Sequence, residues 1–422
     1  MIQENETKKL NILFHSLNST TQGVIRQFKN SAIDFELFII SKTKDSFVEG
    51  KYIGDSAKIR ICELKNIIKD TKIDFVVCLH EGYSDKGLID FYKNILNVPI
   101  IGCNSKWMKL ETSKFEGKKF FIENKINTPE YEIISNIKEL DTKINKFGLP
   151  IVIKYNSLKA GFGSYICKTK REANKIAKSV LKENDFCIVE EFIKGNEISV
   201  QYIWDENNLI PLNPVKDFKK SSSKENAVNT GGMGCYTPVK LSSNEEILLI
   251  EYNEKLEKIF IENKVDFTGI FTANLLFTDS KVYTLEFNMR PGITEFETLI
   301  ENMDCDLLEL FWNTANKRAK NTNIKYKDEI TGCVNVAHKN YLKQKSKKRL
   351  ISIDKILRNK TDEILLNFLI GSLDKKNRGI IDENKRFLSV ICSDKINPFK
   401  KIYKYIKTIK NRSLYYRKDI GV

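Results

Sequence analysis

Short apolar runs alternate with longer mixed segments over the first quarter of the chain. The runs at 10–14, 36–41, 73–79 and 98–102 have the length and composition of buried strands. Helix-like segments separate several of them, including one near 85–96. Because strand and helix alternate, we predict a small parallel α/β domain with helices packed on its sheet.

The loops that follow parallel strands lie at the carboxyl edge of the sheet, where ligands bind in folds of this type. The loop after the 73–79 strand contains Glu81. Glu81 is therefore a candidate ligand contact. A solvated acid in a surface loop is an equally open alternative at this point.

Charged residues mark the ends of elements in the middle of the chain. Lys114 lies near the start of an amphipathic helix, Lys154 ends an apolar strand, and Glu190 and Glu191 end another. A glycine turn within 158–166 lies between the two strands. Lysines can neutralise phosphates, and carboxylates can hold ribose hydroxyls or a metal ion. Together these residues suit a nucleotide cleft, although each one alone is more often a surface charge.

Two apolar segments, 269–277 and 281–287, predict a buried hairpin. Alternate residues of a strand share a face, so the end of the second strand places Glu286, Asn288 and Arg290 together. Carboxylate and amide oxygens suit a magnesium ion shared with nucleotide phosphates. The arginine can clamp a phosphate or carboxylate through two hydrogen bonds. The apolar flanks argue against the alternative of an exposed polar strand face.

The segment 229–236, with sequence NTGGMGCY, has three glycines in six positions. Glycine allows backbone N–H groups to approach an anion or a reactive intermediate closely. A short glycine motif alone is weak support for such a site and more often marks a surface loop. Here a charged segment that contains Asp217 and Lys219 precedes the motif.

Composition limits the function classes. Of the 422 residues 41% are hydrophobic, and the net charge is +15. No apolar run reaches the roughly 20 residues that cross a bilayer, so we expect a cytoplasmic protein without membrane partners. The charge comes mostly from lysine and lacks the arginine clusters of nucleic-acid binders, so we expect small anionic substrates instead. Nine scattered cysteines and three dispersed histidines predict reduced core thiols rather than a zinc site.

Taken in order, these pieces resemble the phosphoribosylamine–glycine ligase family of ATP-grasp enzymes. The most specific match is VNTGGMGCYTP at 228–238, which resembles the family's PNTGGMGAYSP. Further matches are LETSK at 110–114, VEEFIKGNEIS at 189–199 and TLEFNMRPG at 284–292. The matches keep their order and spacing over most of the chain, which a single glycine loop would not achieve.

The resemblance implies an α/β (α+β ATP-grasp) architecture. It implies an N-terminal parallel α/β domain at 1–110, a two-lobed ATP-grasp domain at 111–325 and a C-terminal mixed domain at 326–422. The smaller lobe of the ATP-grasp domain would span about 125–193. The implied reaction joins a carboxylate to an amine with ATP and magnesium (or manganese), and passes through an acyl phosphate.

The resemblance also implies roles for individual residues. ATP phosphates would contact Lys114, Lys154, Gly161 and Gly163; adenine would contact Glu190, Glu191 and the Phe192 backbone; and the ribose would contact Glu197. Glu286 and Asn288 would bind the metal ion. The acyl phosphate would lie among Asp217, Lys219, Asn229, Thr230, Gly231, Gly232 and Arg290. Ser19, Thr20, Glu81 and Met233 are candidate substrate contacts.

Several stretches depart from the family pattern. The opening glycine turn GxGGREHAL, which cradles the phosphate of phosphoribosylamine, reads FHSLNSTTQGVIRQF here. The family's AGKG reads AGFG, with Phe162 in place of a lysine, and its RFGDPET reads RPGITEFET. Because polar sites reject wrong partners strongly, such changes predict different substrates.

Three hypotheses remain open from the sequence. The first is a carboxylate–amine ligase with altered small-molecule substrates, active as a monomer or homodimer. The second is the purine enzyme itself in a diverged lineage. The third, of another class, is a non-catalytic nucleotide-binding protein.

Overall fold

The computed structural model describes residues 9–421 except 43–47, 57, 158–162, 225–226, 342–346, 369–377, 383–384, 410 and 412. In this part of the chain no helix is both long and apolar enough to span a membrane.

The N-terminal region forms a five-stranded parallel sheet of order β3-β2-β1-β4-β5. Its elements are β1 Leu10–His15, α1 Ser19–Phe28, β2 Phe35–Ile40, β3 Lys51–Gly54, α2 Ile61–Thr71, β4 Phe75–Val77, α3 Glu81–Ser84, α4 Leu88–Asp90, a π-helical turn Phe91–Ile95, and β5 Ile100–Ile101. The predicted parallel sheet, with helices between its strands, is confirmed. Alternate residues of the strands point to two apolar cores on opposite faces of this sheet.

The buried polar residues of this region include a histidine. His15 ends β1 and is 2% exposed. Its Nδ1 lies 2.9 Å from the hydroxyl oxygen of Tyr92, and the ring of Tyr83 packs against it edge-on. Burial lowers the pKa of the His15 imidazole to about 4.

A small antiparallel sheet of order β6-β9-β7-β8 follows two helices. The elements are α5 Ser105–Thr112, α6 Lys114–Glu123, β6 Tyr131–Ile134, a 3₁₀ turn Ile137–Glu139, α7 Leu140–Phe147, β7 Ile151–Lys154, β8 Ser164–Cys167, α8 Lys170–Leu181 and β9 Cys187–Glu191. α7 and α8 contribute Leu140, Ala173, Ala177 and Val180 to a core under one face. The other face of the sheet is thereby left for the cleft described below.

A second antiparallel sheet has the order β11-β10-β14-β15. The elements of this part are β10 Asn196–Trp204, β11 Leu209–Pro211, β12 Lys216–Asp217, β13 Gly234–Thr237, α9 Ser243–Glu262, β14 Gly269–Phe277, β15 Val282–Asn288, α10 Glu295–Asn302, α11 Leu307–Ala315 and a 3₁₀ turn Ala319–Asn321. The predicted hairpin is β14 and β15. Phe260 of α9 stacks on Phe271 of β14, which ties the helix to the sheet.

The C-terminal region supplies β16 Ile330–His338, β17 Lys348–Ser352, α12 Ile353–Leu357, β18 Leu365–Phe368, β19 Arg378–Asp382, β20 Arg386–Asp394, α13 Pro398–Thr408 and β21 Leu414–Tyr415. A sheet of order β12-β13-β16-β20-β18 joins them to the hairpin that flanks the glycine loop. Strands from both sides of residue 325 thus share one sheet. The three-part domain division stays a prediction.

Candidate active site

A cleft of about 690 Å³ lies between the small sheet, the second sheet and the glycine loop. Its lining includes most of the charged residues singled out above, together with Glu111, Asn274, Glu295 and Arg386. The eight cysteines whose side chains are described are free thiols, and none of them lines this cleft. The cleft is therefore polar and highly charged at one end.

A buried ion cluster on Glu190, the fourth residue of β9, forms part of the cleft lining. Lys154 at the end of β7 and Lys118 of α6 approach its carboxylate oxygens at 2.7 and 3.1 Å. All three side chains are nearly inaccessible to solvent. Burial alone would raise the pKa of Glu190, but the two lysines outweigh it and hold the pKa below its ordinary value.

Glu286, in β15, faces the same cleft and forms an ion pair with Lys114. Asn274 of the neighbouring strand β14 donates from Nδ2 to Glu286 Oε1 at 3.1 Å. Burial would raise the pKa of Glu286, but Lys114, Lys219 and Lys154 hold it well below its usual range. Glu286 is therefore an anion that can accept a metal ion in place of a lysine.

Lys219 follows β12 and forms an ion pair with Glu197 of β10. Asp217, two residues earlier, has an oxygen, Oδ1, that is buried and has no hydrogen-bond partner among the described residues. Burial, then the nearby Glu295, raises the pKa of Asp217 well above its ordinary value. Asp217 therefore differs from the carboxylates of Glu197 and Glu286, which are held in ion pairs.

Arg290 lies between two acids. Its Nε is 3.2 Å from Glu111 Oε1 and 3.3 Å from Glu81 Oε2. Glu111 is 4% exposed and also accepts from the backbone N–H of Met289 at 2.7 Å. Glu81 also lines the cleft, and its ion pair helps to orient the guanidinium of Arg290.

The glycine loop is held by a residue from the C-terminal region. Arg386, the first residue of β20, donates from Nη1 to the backbone oxygens of Gly231 and Gly232, the latter at 2.7 Å. Gly232 has φ +95°, which favours glycine, and a Cβ there would lie 2.9 Å from Asp217 Oδ1. The loop therefore needs glycine at this position and packs its backbone against the Asp217 carboxylate.

The structure brings most of the predicted site residues together. The cleft is lined by Lys114, Lys154, Gly163, Glu190, Glu191, Phe192, Glu197, Asp217, Lys219, Asn229, Thr230, Gly231, Glu286, Asn288, Arg290 and Glu81. Gly232 supports the loop from behind without lining the cleft. Gly161 and Phe162 lie outside the described residues.

Three predicted substrate contacts lie elsewhere. Met233 is fully buried and packs in the core of the C-terminal sheet. Ser19 and Thr20 are at most 1% exposed in the first turn of α1, and the hydroxyl of Thr20 donates to Glu297 at 3.3 Å. These three side chains do not line the cleft, and their role as substrate contacts stays a prediction.

Sequence analysis missed Lys118, Glu111, Glu295 and Arg386. Glu111 lies inside the quoted LETSK motif, and a charged residue within such a motif is a usable signal. Lys118 has only its place in a lysine-rich helix. Arg386 opens an apolar strand in a region without other site residues, so its place in the cleft follows from strand pairing alone.

Comparison with known proteins agrees with this geometry. Residues 112–296 match the family described as phosphoribosylglycinamide synthetase, ATP-grasp (A) domain. The phosphoribosylamine–glycine ligase of Fusobacterium nucleatum is 30% identical over 381 residues, which cover 85% of this chain and 86% of that protein. The chain belongs to the phosphoribosylamine–glycine ligase family. The family resemblance inferred from the motifs is confirmed, and with it membership of the ATP-grasp carbon–nitrogen ligases.

Solved structures share the fold of this family member. The phosphoribosylamine–glycine ligase of Thermotoga maritima aligns with a TM-score of 0.77 at 21% identity, over 97% of this chain and all of that one (100%). The ADP complex of N5-carboxyaminoimidazole ribonucleotide synthetase aligns with a TM-score of 0.68 at 14% identity, over 96% of each chain. The mixed α/β ATP-grasp architecture predicted from the sequence is confirmed.

Proposed function

We propose that this protein is an ADP-forming carboxylate–amine ligase whose substrates differ from those of phosphoribosylamine–glycine ligase. It would make an amide bond through an acyl phosphate. The observation that supports the ligase activity is a single cleft lined by lysines, by the glycine loop and by two candidate metal ligands, Glu286 and Asn288. The change of substrates is supported by a separate feature, the first turn of α1.

The cleft fits ATP and a divalent cation. Its volume of about 690 Å³ lies within the range of small-molecule sites. Lys114 and Lys154 supply positive charge for phosphates, and Glu286 and Asn288 supply the hard oxygen donors that magnesium prefers. When bound, magnesium would neutralise charge on the transferred phosphoryl group. The ion pair of Lys114 with Glu286 would then give way to contacts with phosphate and metal.

The opposite end fits the acyl phosphate. Lys219 and Arg290 line the cleft together with Asn229, Thr230 and Gly231 of the glycine loop. Such fixed dipoles and charges favour the transition state when they are preorganised. Arg386 would keep the loop in place rather than touch the substrate.

The first turn of α1 supports altered substrates. Asn18 caps the helix by accepting from the backbone N–H of Thr21 at 2.9 Å, so this donor is occupied. Ser19, Thr20 and Thr21 are at most 1% exposed, and the Glu297 carboxylate is packed against Thr20. A phosphate at this turn would meet the buried Glu297 carboxylate. We therefore propose an acceptor that carries no phosphate there.

A second candidate is phosphoribosylamine–glycine ligase itself. It is favoured by the 30% identity that extends over 85% of the chain. The same comparison gives no reason to prefer the third hypothesis, a non-catalytic nucleotide-binding protein. That hypothesis would follow from ATP binding without turnover.

The test is ADP release, measured with a coupled assay. The protein is incubated with ATP, magnesium, glycine and phosphoribosylamine, and in parallel with a panel of other carboxylates and amines. Turnover with another pair, but not with glycine and phosphoribosylamine, is the expected result. Robust release that depends on both glycine and phosphoribosylamine would refute the change of substrates and establish the second candidate.

A further inference from the structure

A second cavity, of about 280 Å³, lies in the C-terminal region, where the end of β16 meets β17, β19 and β21. It shares no lining residue with the cleft that contains the glycine loop. A single water molecule needs only roughly 10–15 Å³ of such space. Typical small-molecule sites range from about 300 to 1,000 Å³, so this cavity suits a compact ligand.

One side of the cavity is basic. Lys339 directly follows β16, and Arg349 is the second residue of β17. His338, the last residue of β16, is 7% exposed, and its Nδ1 accepts from the backbone N–H of Asn340 at 3.1 Å. In a neutral ring the proton is then on Nε2, so the imidazole is a hydrogen-bond donor at this nitrogen.

Uncharged donors accompany these cations. Asn411 and Ser413, just before β21, also line the cavity. The side-chain oxygen of Asn411 accepts from the backbone N–H of Ser413 at 2.9 Å. The amide group of Asn411 therefore presents its Nδ2 as a donor, and the hydroxyl of Ser413 is a further one. A ligand that accepts several hydrogen bonds matches this set.

No acid is found among the described lining residues of this cavity. The sequence explains why, since neither 330–353 nor 395–418 contains an aspartate or a glutamate. These two segments supply every described lining residue except Ile381, which is apolar. Lys339 forms no ion pair within the described part of the chain. The positive charge at this cavity is thus left for a bound anion to offset.

The opposite part of the lining is apolar. It consists of Leu350, Ile351, Ile381 and Leu414. Leu350 is 50% exposed, so a large apolar side chain lies beside water at the cavity. A ligand with a compact apolar body would remove this surface from water, which is favourable. The cavity therefore combines anion recognition with an apolar wall.

We propose that this cavity binds a small phosphate monoester with a compact apolar or aromatic body. Lys339 and Arg349 match the charge of a dianion, and the arginine can donate two parallel hydrogen bonds to phosphate oxygens. A carboxylate has a single charge and would leave one of the two cations without compensation. The proposal does not depend on the ligase function proposed above, because the cavity is separate from the cleft.

The test measures binding by isothermal titration of the full chain. Four probes are compared: phenyl phosphate, inorganic phosphate, benzoate and phenol. At about pH 7.5 phenyl phosphate is largely dianionic, because the second pKa of a phosphate monoester is about 6. It should bind about tenfold or more tighter than each other probe, since it alone combines the dianion with an apolar body. Its affinity should be the same with and without magnesium and a non-hydrolysable ATP analogue, which fill the cleft.

Variants connect this binding to the cavity. Lys339→Gln and Arg349→Gln should each weaken binding of phenyl phosphate by about tenfold or more, because a charge-assisted hydrogen bond is lost. Leu350→Gln should weaken binding of phenyl phosphate and leave that of inorganic phosphate unchanged, because it alters the apolar wall alone. Lys348→Gln is the matched control, since it removes an exposed cation of β17 that does not line the cavity. All four variants should keep the affinity for the ATP analogue, which shows that the fold is kept.

Several outcomes would overturn the proposal. They are no measurable binding of phenyl phosphate, wild-type affinity in both Lys339→Gln and Arg349→Gln, or benzoate binding as tight as that of phenyl phosphate. Loss of phenyl phosphate binding when the ATP analogue is present would place the ligand in the cleft instead. An equal loss in Lys348→Gln would show that only the overall charge matters. Failure of the ligase function would leave all these results unchanged, because no turnover is measured.

Discussion

His15 allows a quantitative test of how burial couples the stability of the N-terminal domain to pH. The gap between its folded pKa of about 4 and the ordinary value of 6.5 corresponds to about 3 kcal/mol, since each pKa unit is worth about 1.4 kcal/mol. Between these pH values the unfolded chain binds a proton at His15 that the folded chain does not. The stabilisation is therefore present above pH 6.5 and is lost as the pH falls towards 4.

The perturbation is His15→Gln, which keeps a hydrogen-bonding group near Tyr92 but removes the titration. Urea unfolding of both proteins is measured at about pH 7.5 and about pH 4.5. The free energy of unfolding of the wild type should fall by about 2.5 kcal/mol more than that of the variant, because pH 4.5 lies about two units below the ordinary pKa. Other acids titrate equally in both proteins and cancel in this difference.

His80→Gln is the matched control, because the His80 side chain is 41% exposed at the start of α3. It should lose the same stability between the two pH values as the wild type does. An equal loss in the wild type and His15→Gln would refute the reasoning. It would show that water reaches the imidazole, or that the Tyr92 contact does not persist.

Three further predictions concern the cleft. Glu190→Gln leaves Lys118 and Lys154 buried without a counter-ion, so it should lower the free energy of unfolding by about 3 to 5 kcal/mol. Urea unfolding measures this difference, and an unchanged value would contradict the buried cluster. Glu286→Gln should raise the magnesium concentration for half-maximal ADP release by about tenfold or more, and an unchanged requirement would place the metal elsewhere. Arg386→Lys removes the guanidinium nitrogen, Nη1, that donates to the backbone oxygens of both Gly231 and Gly232, so it should lower kcat by about tenfold with unchanged ATP affinity. A reduced ATP affinity at normal kcat would argue against its role in positioning the loop.

Local patterns predicted most of the fold. Alternating strands and helices gave the parallel sheet, and the period of two in β15 placed Glu286 and Asn288 on the cleft. The sequence predicted the ion pairs of the cleft less well, because each pair joins residues that are distant in the chain. Lys118 and Glu190 are 72 positions apart, and nothing near either residue indicates that both are buried. Met233 is the opposite case, because it lies within the glycine motif and only the structure shows that it is part of a core.

Glu295 illustrates what sequence patterns leave out. A glutamate in the first turn of a helix is normally interpreted as favourable to the helix dipole and exposed to solvent. Only the strained Thr294 and the bare backbone of Gly292 show that this acid is directed into the cleft. The available signal is the departure RPGITEFET itself, which is two residues longer than the family's RFGDPET and contains this glutamate.

Because Arg386 belongs to the C-terminal region, the cleft is completed only near the end of translation. Ribosomes add about 5 to 20 residues per second, so the roughly 100 residues after Arg290 take about 5 to 20 s to synthesise. During that interval the nascent chain already contains its nucleotide lysines but lacks the arginine that fixes the glycine loop. Stalled chains that end before residue 386 should bind an ATP analogue and release no ADP until translation resumes. Release of ADP by such chains would show that the loop needs no support from this arginine.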